Sequence, residues 1–220
     1  MSQPADFRGT DEKATVTAYR EIKSRILDLR YPRGKKLSET RIAAELGLGR
    51  SPIRSALARL KEEGWVAITP QSGTYVRELT AQDIAEVLEL RLVLEAHVVA
   101  LAAERMSDLE LRRLKRALST LAPHVVDGRL DEFIALDDQI HSAVYRAAGN
   151  GLITAILYQL RDKIRWIMPT SAASRARQKL ALRELEAIVE SLQSRDAAAA
   201  IARMQEHVRN AAAFGAKAEE

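Results

Sequence analysis

The segment ELGLGRSPIRSALARLKEEGW, residues 45–65, constrains the fold more than any other part of the chain. Gly47 and Gly49 predict a tight turn between a short helix and a longer one. Ser51 and Pro52 suit the start of the longer helix. Proline has no backbone N–H, and the first turn of a helix does not need one there. Its apolar residues recur at helical spacing: Ile53, Leu57 and Leu60. Two helices joined by a short glycine turn predict a helix-turn-helix.

The flanking segments extend this unit on both sides. Apolar spacings predict an amphipathic helix over residues 11–30. Ser38 is the predicted N-cap of the next helix. A capping box would require Glu or Gln three residues later, and Arg41 stands there instead. Two β-branched runs, Val66–Thr69 and Thr74–Val76, flank Pro-Gln-Ser-Gly and predict a β-hairpin. Three helices and a hairpin predict a winged helix-turn-helix.

Beyond Thr80 the strand signals disappear, and six helices with short connections predict an antiparallel bundle. They are expected over residues 81–105, from Ser107 past Leu121, and over 130–148, 152–168, 178–192 and 196–214. The predicted fold class is therefore mostly α. The expected organisation is a disordered tail at 1–11, a winged helix-turn-helix at 12–79, a helical domain at 80–214, and a tail at 215–220.

Composition narrows the class of protein. The chain has 220 residues and no cysteine, which excludes a disulfide scaffold and a thiolate metal site. No apolar run approaches the ~20 residues that span a bilayer, and the polar N-terminus has no signal-peptide core. These features predict a cytoplasmic protein without a membrane partner.

Charge is distributed unevenly along the chain. Residues 1–78 hold 15 Lys and Arg against 10 Asp and Glu, a balance of +5, whereas residues 79–220 hold 19 against 20, a balance of −1. A basic first third indicates that this part meets a polyanion. A mildly basic surface without a partner would have the same composition.

Arg50 and Arg54 stand at the start of the longer helix, where the helix dipole favours negative rather than positive charge. They lie four residues apart and therefore share a face. In a helix-turn-helix this face enters the DNA major groove, where arginine binds guanine O6 and N7 or a phosphate. Further DNA contacts are predicted from short or basic residues nearby: Thr40, Arg41, Ser51, Ser55 and the hairpin tip Gln71, Ser72 and Gly73. The alternative is that the arginines only solvate an exposed helix face.

Residues 37–76 resemble the N-terminal domain of the GntR family of bacterial transcription regulators. The residues that follow the family pattern are Leu37, Glu39, Leu46, Gly47, Arg50, Pro52, Arg54, Ala56, Leu57, Leu60, Gly64, Gly73 and Val76. Three positions depart from it: Gly49 replaces Ser or Thr, Ser55 replaces Glu, and Thr40 stands where an arginine often contacts DNA. These departures imply an individual base preference.

The helical remainder is similar to the ligand-binding domain of the FadR-type branch, in the segments ELRLVLE, DDQIHSAVYRAAGN and RDAAAAIARMQEH. Six helices rather than seven indicate the VanR-like subgroup. The resemblance implies that residues 80–214 form the effector-binding and dimerisation domain, and that the homodimer binds a palindromic double-stranded DNA operator. It also implies a repressor that a small organic acid releases from the operator.

Asp137 and His141 lie four apart on one predicted helix, and such a pair offers an oxygen and a nitrogen to a divalent metal. The resemblance implies that this pair, His207 and one further histidine hold a metal such as Zn, Ni or Mn. Leu185 occupies the place of the further histidine and cannot coordinate a metal. The expectation is therefore a degenerate metal site, or a hydrogen-bonded remnant of one.

Three arginines are candidates for binding an anionic effector. The resemblance places Arg91 at a position that commonly points into the pocket. Arg161 and Arg165 share one face of a predicted helix, and each could hold a carboxylate. A solvated helix rich in salt bridges is the alternative for Arg161 and Arg165.

Two other functions compete with this interpretation. In a metal-responsive regulator, the metal itself would be the signal. In a metal-dependent hydrolase, a metal would activate water at Asp137, His141 and His207. No nucleophile or general-base motif accompanies these residues, and a hydrolase would leave the helix-turn-helix unexplained. The chain is therefore not expected to be an enzyme.

Overall fold

The computed structural model describes residues 7–126, 130–167 and 175–216. The described chain confirms the mostly α fold class with a small antiparallel sheet. The elements are α1 (Phe7–Leu27), β1 (Lys36–Leu37), α2 (Glu39–Leu46), α3 (Arg50–Glu62), β2 (Val66–Thr69), β3 (Gly73–Val76), α4 (Ala81–Arg105), α5 (Asp108–Val126), α6 (Leu130–Ala148), α7 (Gly151–Ile167), α8 (Arg175–Gln193) and α9 (Ala197–Ala216). They form two compact units, Met1–Thr80 and Ala81–Glu220.

In the first unit, α1 packs against α3 through apolar side chains that are completely buried: Ala18, Ile22, Ile26, Ile53, Ala56 and Leu60. The N-cap of α2 is Ser38, whose hydroxyl accepts a hydrogen bond from the Arg41 N–H. Gly47 ends α2 in the left-handed region at φ 64°, which glycine adopts without a Cβ clash. Both ends of this short helix therefore form where the sequence predicts them.

The sheet has the strand order β1-β3-β2, with both pairings antiparallel. In the hairpin, Val66 pairs with Val76 and Thr69 pairs with Gly73. Strand β1 was not predicted, because two residues are too few to leave a periodic pattern. The β2–β3 hairpin is the predicted wing.

In the second unit, α4 packs against α9, α6 and α7, while α8 packs against α5 and α9. The completely buried core of this unit includes Val98, Val99, Leu136, Ile140, Leu185, Ile188, Leu192, Met204 and Val208. Ser107 begins α5 in a reciprocal cap, because its hydroxyl accepts from the Glu110 N–H while the Glu110 carboxylate accepts from Ser107.

The expected tails are shorter than the sequence analysis indicated. Residues 7–11 belong to α1, and residues 215–216 belong to α9. The apolar periodicity used to place the start of α1 begins only at Val16, and a helix can continue past its packed face. The rest of both expected tails, residues 1–6 and 217–220, lies outside the described residues. No described helix is long and apolar enough to cross a membrane.

Candidate functional site

The N-terminal half of α3 exposes the polar residues that the sequence analysis assigned to DNA. Arg50, Ser51, Arg54 and Ser55 are all exposed, and we call these four residues the recognition face. The opposite side of α3 carries Ile53 and Leu57 into the core of the unit. Burial of that side fixes which residues the helix presents outwards.

The two arginines of the recognition face differ in their contacts. Arg54 forms an ion pair with Glu39 at the start of α2, with 3.1 Å between Arg54 Nη2 and Glu39 Oε2. Hydrogen bonding to Glu39, and then its charge, raises the pKa of Arg54. Arg50 forms no ion pair with any residue that the structure describes. Both side chains are accessible to a partner, but only that of Arg54 is held.

Other predicted DNA-contact residues lie beside the recognition face or on the wing. Thr40 is exposed on α2, and Arg41 is exposed but donates a hydrogen bond of 2.9 Å to Glu45. Glu45 also accepts hydrogen bonds from Arg25 and Tyr31, so that Arg41 belongs to a network joining α1 and α2. Hydrogen bonds from Tyr31, then from Arg41, lower the pKa of Glu45.

The tip of the wing is shaped by backbone conformations that few residues adopt. Gln71 has φ 61° and Gly73 has φ 126°. The φ of Gly73 lies where a residue with a Cβ is strained, so glycine is the residue that fits there. Gln71 and Ser72 are exposed, and the Ser72 hydroxyl lies 2.7 Å from the Tyr75 hydroxyl. The tip therefore presents short polar groups.

In the second unit, Asp137 and His141 of α6 meet His207 of α9. One ligand atom from each residue lies within 4.8 Å of the others. His207 Nε2 is 3.2 Å from Asp137 Oδ1, and His141 Nε2 is 3.8 Å from the same oxygen. The structure thus brings together the three residues that the sequence analysis proposed as metal ligands.

Two carboxylates that the sequence analysis missed hold the histidine rings. Glu95 Oε2 lies 2.9 Å from His141 Nδ1, and Glu184 Oε2 lies 2.8 Å from His207 Nδ1. Each Nδ1 therefore faces a carboxylate while each Nε2 faces Asp137, the arrangement of carboxylate-supported metal histidines. The available sequence signal for Glu95 was its spacing, four residues after Arg91 on one predicted helix.

Arg91 of α4 supplies a buried positive charge to the same place. Its Nε donates a short hydrogen bond to Glu95, and its Nη2 lies 3.4 Å from His141 Nε2. We call these six residues the buried charge cluster: Arg91, Glu95, Asp137, His141, Glu184 and His207.

Contacts within the buried charge cluster shift the pKa values of its members. Burial alone would raise the pKa of Glu95 and of Asp137, but the charge of Arg91 near Glu95 and of His141 near Asp137 lowers both. Burial alone would lower the pKa of His207, but its hydrogen bonds to Asp137 and Glu184 raise it. The cluster is consequently held together by charge.

Asp137, His141 and His207 offer three ligand atoms for a divalent metal. Ligands of a zinc ion at about 2.1 Å are roughly 3 to 3.4 Å apart. The 3.2 Å between His207 Nε2 and Asp137 Oδ1 falls in that range, and the 3.8 Å for His141 is close to it. Leu185, at the expected fourth position, is completely buried in the apolar core. A metal here would have three protein ligands and the Arg91 guanidinium as a neighbour.

The other two candidates for binding an effector, Arg161 and Arg165, lie on α7 and are at least partly exposed. Arg161 forms an ion pair of 2.9 Å with Asp138, and 43 % of its side chain is exposed. Arg165 is exposed on the same helix. Arg91 contacts the Asp137–His141–His207 group, with 3.4 Å between its Nη2 and His141 Nε2.

Two protein families match successive parts of the chain. Residues 14–76 match the bacterial regulatory proteins of the gntR family, and residues 86–210 match the FCD domain. The second match alone covers more than half of the chain.

Curated relatives are similar over most of their length. The regulator YdhC of Bacillus subtilis is 27% identical over 83% of this chain and 82% of its own. The transcriptional repressor RspR of Escherichia coli is 25% identical over 86% and 83%. The transcriptional repressor NanR of Cronobacter sakazakii is 28% identical over 90% and 83%.

Solved structures show a similar fold. E. coli McbR/YncC superposes with a TM-score of 0.77 at 20% identity, covering 94% of this chain and 99% of its own. The Zn²⁺-bound FCD domain of the regulator TM0439 has a TM-score of 0.54 at 25% identity, covering 64% of this chain and 96% of its own.

Proposed function

This chain belongs to the gntR family of bacterial regulatory proteins and carries an FCD domain; from that premise we propose that it is a ligand-released repressor. In this proposal a homodimer binds a palindromic operator, and a small organic acid bound among α4–α9 weakens that binding. The family consists of DNA-binding transcription regulators, so the function is regulatory rather than enzymatic.

The recognition face supports the DNA-binding part of the proposal. Arg50 and Arg54 are exposed on the N-terminal turns of α3, and the wing presents Gln71 and Ser72. In a winged helix-turn-helix these two features contact the major groove and the adjacent backbone. The backbone N–H groups at the start of α3 additionally suit a phosphate oxygen.

Apolar side chains exposed on two packed helices of the second unit support a homodimer. Leu90 and Val93 are exposed on α4, and Leu152 and Ile156 are exposed on α7. Val93 is 68% exposed and Leu152 is 82% exposed, so neither side chain is covered by the core of the unit. A two-fold interface over these helices would cover them and double the length of DNA that is read.

The buried charge cluster is the single observation that carries the effector proposal. Arg91 is buried and contacts His141, which lies 3.8 Å from Asp137; the Asp137 side chain is 30% exposed, so a small ligand would enter from the Asp137 side. A carboxylate that reached this point would accept hydrogen bonds from Arg91 in a low-dielectric surrounding. A metal held by Asp137, His141 and His207 would supply a Lewis acid that binds the same carboxylate.

The metal-responsive alternative has weaker support. Leu185 removes one protein ligand, and the Arg91 guanidinium places a positive charge 3.4 Å from the nitrogen that a metal would need. A metal can complete the effector site, whereas a metal that acts as the signal must bind tightly by itself.

Selection of duplexes from a random-sequence pool by the purified chain tests the proposed function. The expected sequences contain two half-sites related by a two-fold axis, because a homodimer imposes its symmetry on the DNA. Light scattering should give twice the chain mass, and Val93→Asp combined with Leu152→Asp should shift the mass towards that of one chain. Selected sequences without a repeated half-site would contradict the symmetric operator.

A further inference from the structure

Arg54 is held by an acidic residue in a way that Arg50 is not. Its Nε donates to Glu39 Oε1 at 3.4 Å and to Oε2 at 3.3 Å, and its Nη2 donates to Oε2 at 3.1 Å. These contacts use one edge of the guanidinium, formed by Nε and Nη2. The other edge, formed by Nη1 and the second Nη2 hydrogen, contacts no residue in the described part of the chain.

A guanidinium is planar and presents its five N–H groups in fixed directions. Holding one edge therefore fixes the direction of the other edge, whereas an arginine without a partner samples many rotamers. The edge left uncovered carries two parallel N–H groups, which match the O6 and N7 acceptors of guanine. Glu39 consequently presents Arg54 in a form suited to a base rather than to a single phosphate oxygen.

Glu39 itself is well placed to act as a support. It is the first residue of α2, directly after the Ser38 N-cap, where the helix dipole favours a carboxylate. Its side chain is 33% exposed, compared with 74% for Arg54. The more enclosed partner therefore positions the more exposed one.

We propose that Glu39 is a positioning residue that makes Arg54 selective for guanine. This inference rests on the proposed function, in which the recognition face enters the major groove. Ordering the arginine before DNA arrives raises base discrimination, because less side-chain freedom is lost on binding. The carboxylate also offsets part of the positive charge, which lowers attraction to DNA of any sequence.

The test compares two affinities for each variant: for a duplex selected by the wild-type chain, and for a shuffled duplex of equal length. Glu39→Gln keeps the shape of the side chain and removes its charge. We expect the ratio of the two affinities to fall about threefold to tenfold, while binding to the shuffled duplex is equal or tighter. Glu62→Gln, an exposed carboxylate near the end of α3, is the matched charge control and should leave the ratio unchanged.

A double-mutant cycle separates support from direct base contact. In an Arg54→Ala background, Glu39→Gln should change the ratio no further. An equal fall in that background would mean that Glu39 contacts a base itself, and an unchanged ratio in the single variant would also overturn the inference. If Arg54→Ala keeps full discrimination, the DNA-binding role of Arg54 fails and this inference fails with it. Thermal unfolding of each variant verifies that α2 remains folded.

Discussion

On the surface of the first unit, the pair Arg54–Glu39 exposes 74% and 33% of its side chains, whereas the pair Arg91–Glu95 inside the second unit exposes 7% and 0%. Both pairs join an arginine to a glutamate, yet their surroundings differ. The exposed pair is screened by water and contributes little to stability. The buried pair is strongly coupled, and removing one partner leaves a charge without solvation.

This difference matches what each unit is proposed to bind. A DNA duplex is large and must meet charges at the surface, so its contacts can be changed without affecting the fold. A small acid must be enclosed, so its site shares charged residues with the core. Mutations of the first site should therefore change binding alone, and mutations of the second should change stability as well.

The largest expected effect is on stability in the second unit. Glu95→Gln should destabilise that unit by about 3 to 5 kcal/mol, because it leaves Arg91 buried without its anion. The chain has two tryptophans, Trp65 in the first unit and Trp166 in the second. Urea unfolding followed by fluorescence in a Trp65→Phe background reports the second unit.

The matching control is Glu39→Gln, followed through Trp65 in a Trp166→Phe background. This substitution should lower the free energy of unfolding by less than about 1 kcal/mol, because the Arg54–Glu39 pair is exposed. If Glu95→Gln and Glu39→Gln lowered the free energy of unfolding by similar amounts, the contrast between a buried and an exposed pair would be wrong.

Operator affinity should depend strongly on the recognition face. Replacing Arg50 or Arg54 with Ala should weaken binding to the selected duplex by about 1 to 3 kcal/mol if either contacts a guanine. Fluorescence anisotropy at fixed salt measures the change. The melting temperature should stay close to that of the wild type, since both side chains are exposed. Unchanged affinity in both variants would reject the recognition face.

Metal affinity should be limited by Leu185. We expect the wild-type chain to lose zinc on dialysis against a chelator, and Leu185→His to retain it about tenfold better, because a fourth ligand then becomes available. Elemental analysis after dialysis gives the metal content. Leu192→His, at another completely buried position of the same helix, is the control and should not improve retention. One metal per chain retained tightly by the wild type would show that another group replaces the missing histidine.

The stability of the second unit should also depend on pH. Glu95 and Asp137 have lowered pKa values, since nearby positive charge outweighs burial, so their contribution is present above pH ~4.5 and is lost as pH falls further. His207 has a raised pKa, because its carboxylate partners outweigh burial. Its contribution is present below its ordinary value of 6.5 and is lost as pH rises through the raised value.

Stability of the second unit, reported by Trp166, should therefore be greatest between about pH 5 and 6.5. The first unit, reported by Trp65, should change less on acidification, because its charged pairs are more exposed. If acidification lowered the stability of the first unit more steeply than that of the second, this assignment would be contradicted.

The sequence predicted the elements that have strong local signals. The Ser38 cap, the glycine turn before α3 and the two strands of the hairpin all depend on residues close together in the chain, and the structure has each of them where it was expected. The pair of β1 with β3 was missed because it joins residues nearly forty positions apart.

The buried charge cluster was predicted only in part for the same reason. Asp137 and His141 lie one helical turn apart, so spacing alone suggested the pair. Their supports Glu95 and Glu184 come from two other helices, and only packing of α4, α6, α8 and α9 brings them within hydrogen-bond distance. No spacing rule predicts a contact that depends on how four helices pack.

The coupling between the two sites is the most direct test of a ligand-released repressor. A thermal-shift screen of small organic acids, with and without zinc, identifies those that stabilise the protein. Anisotropy titrations of the selected duplex are then made with each stabilising acid. We expect at least one acid to weaken operator binding about fivefold or more, and the duplex to weaken binding of that acid by the same factor. Acids that bind the protein but leave its affinity for the selected duplex unchanged would contradict the account.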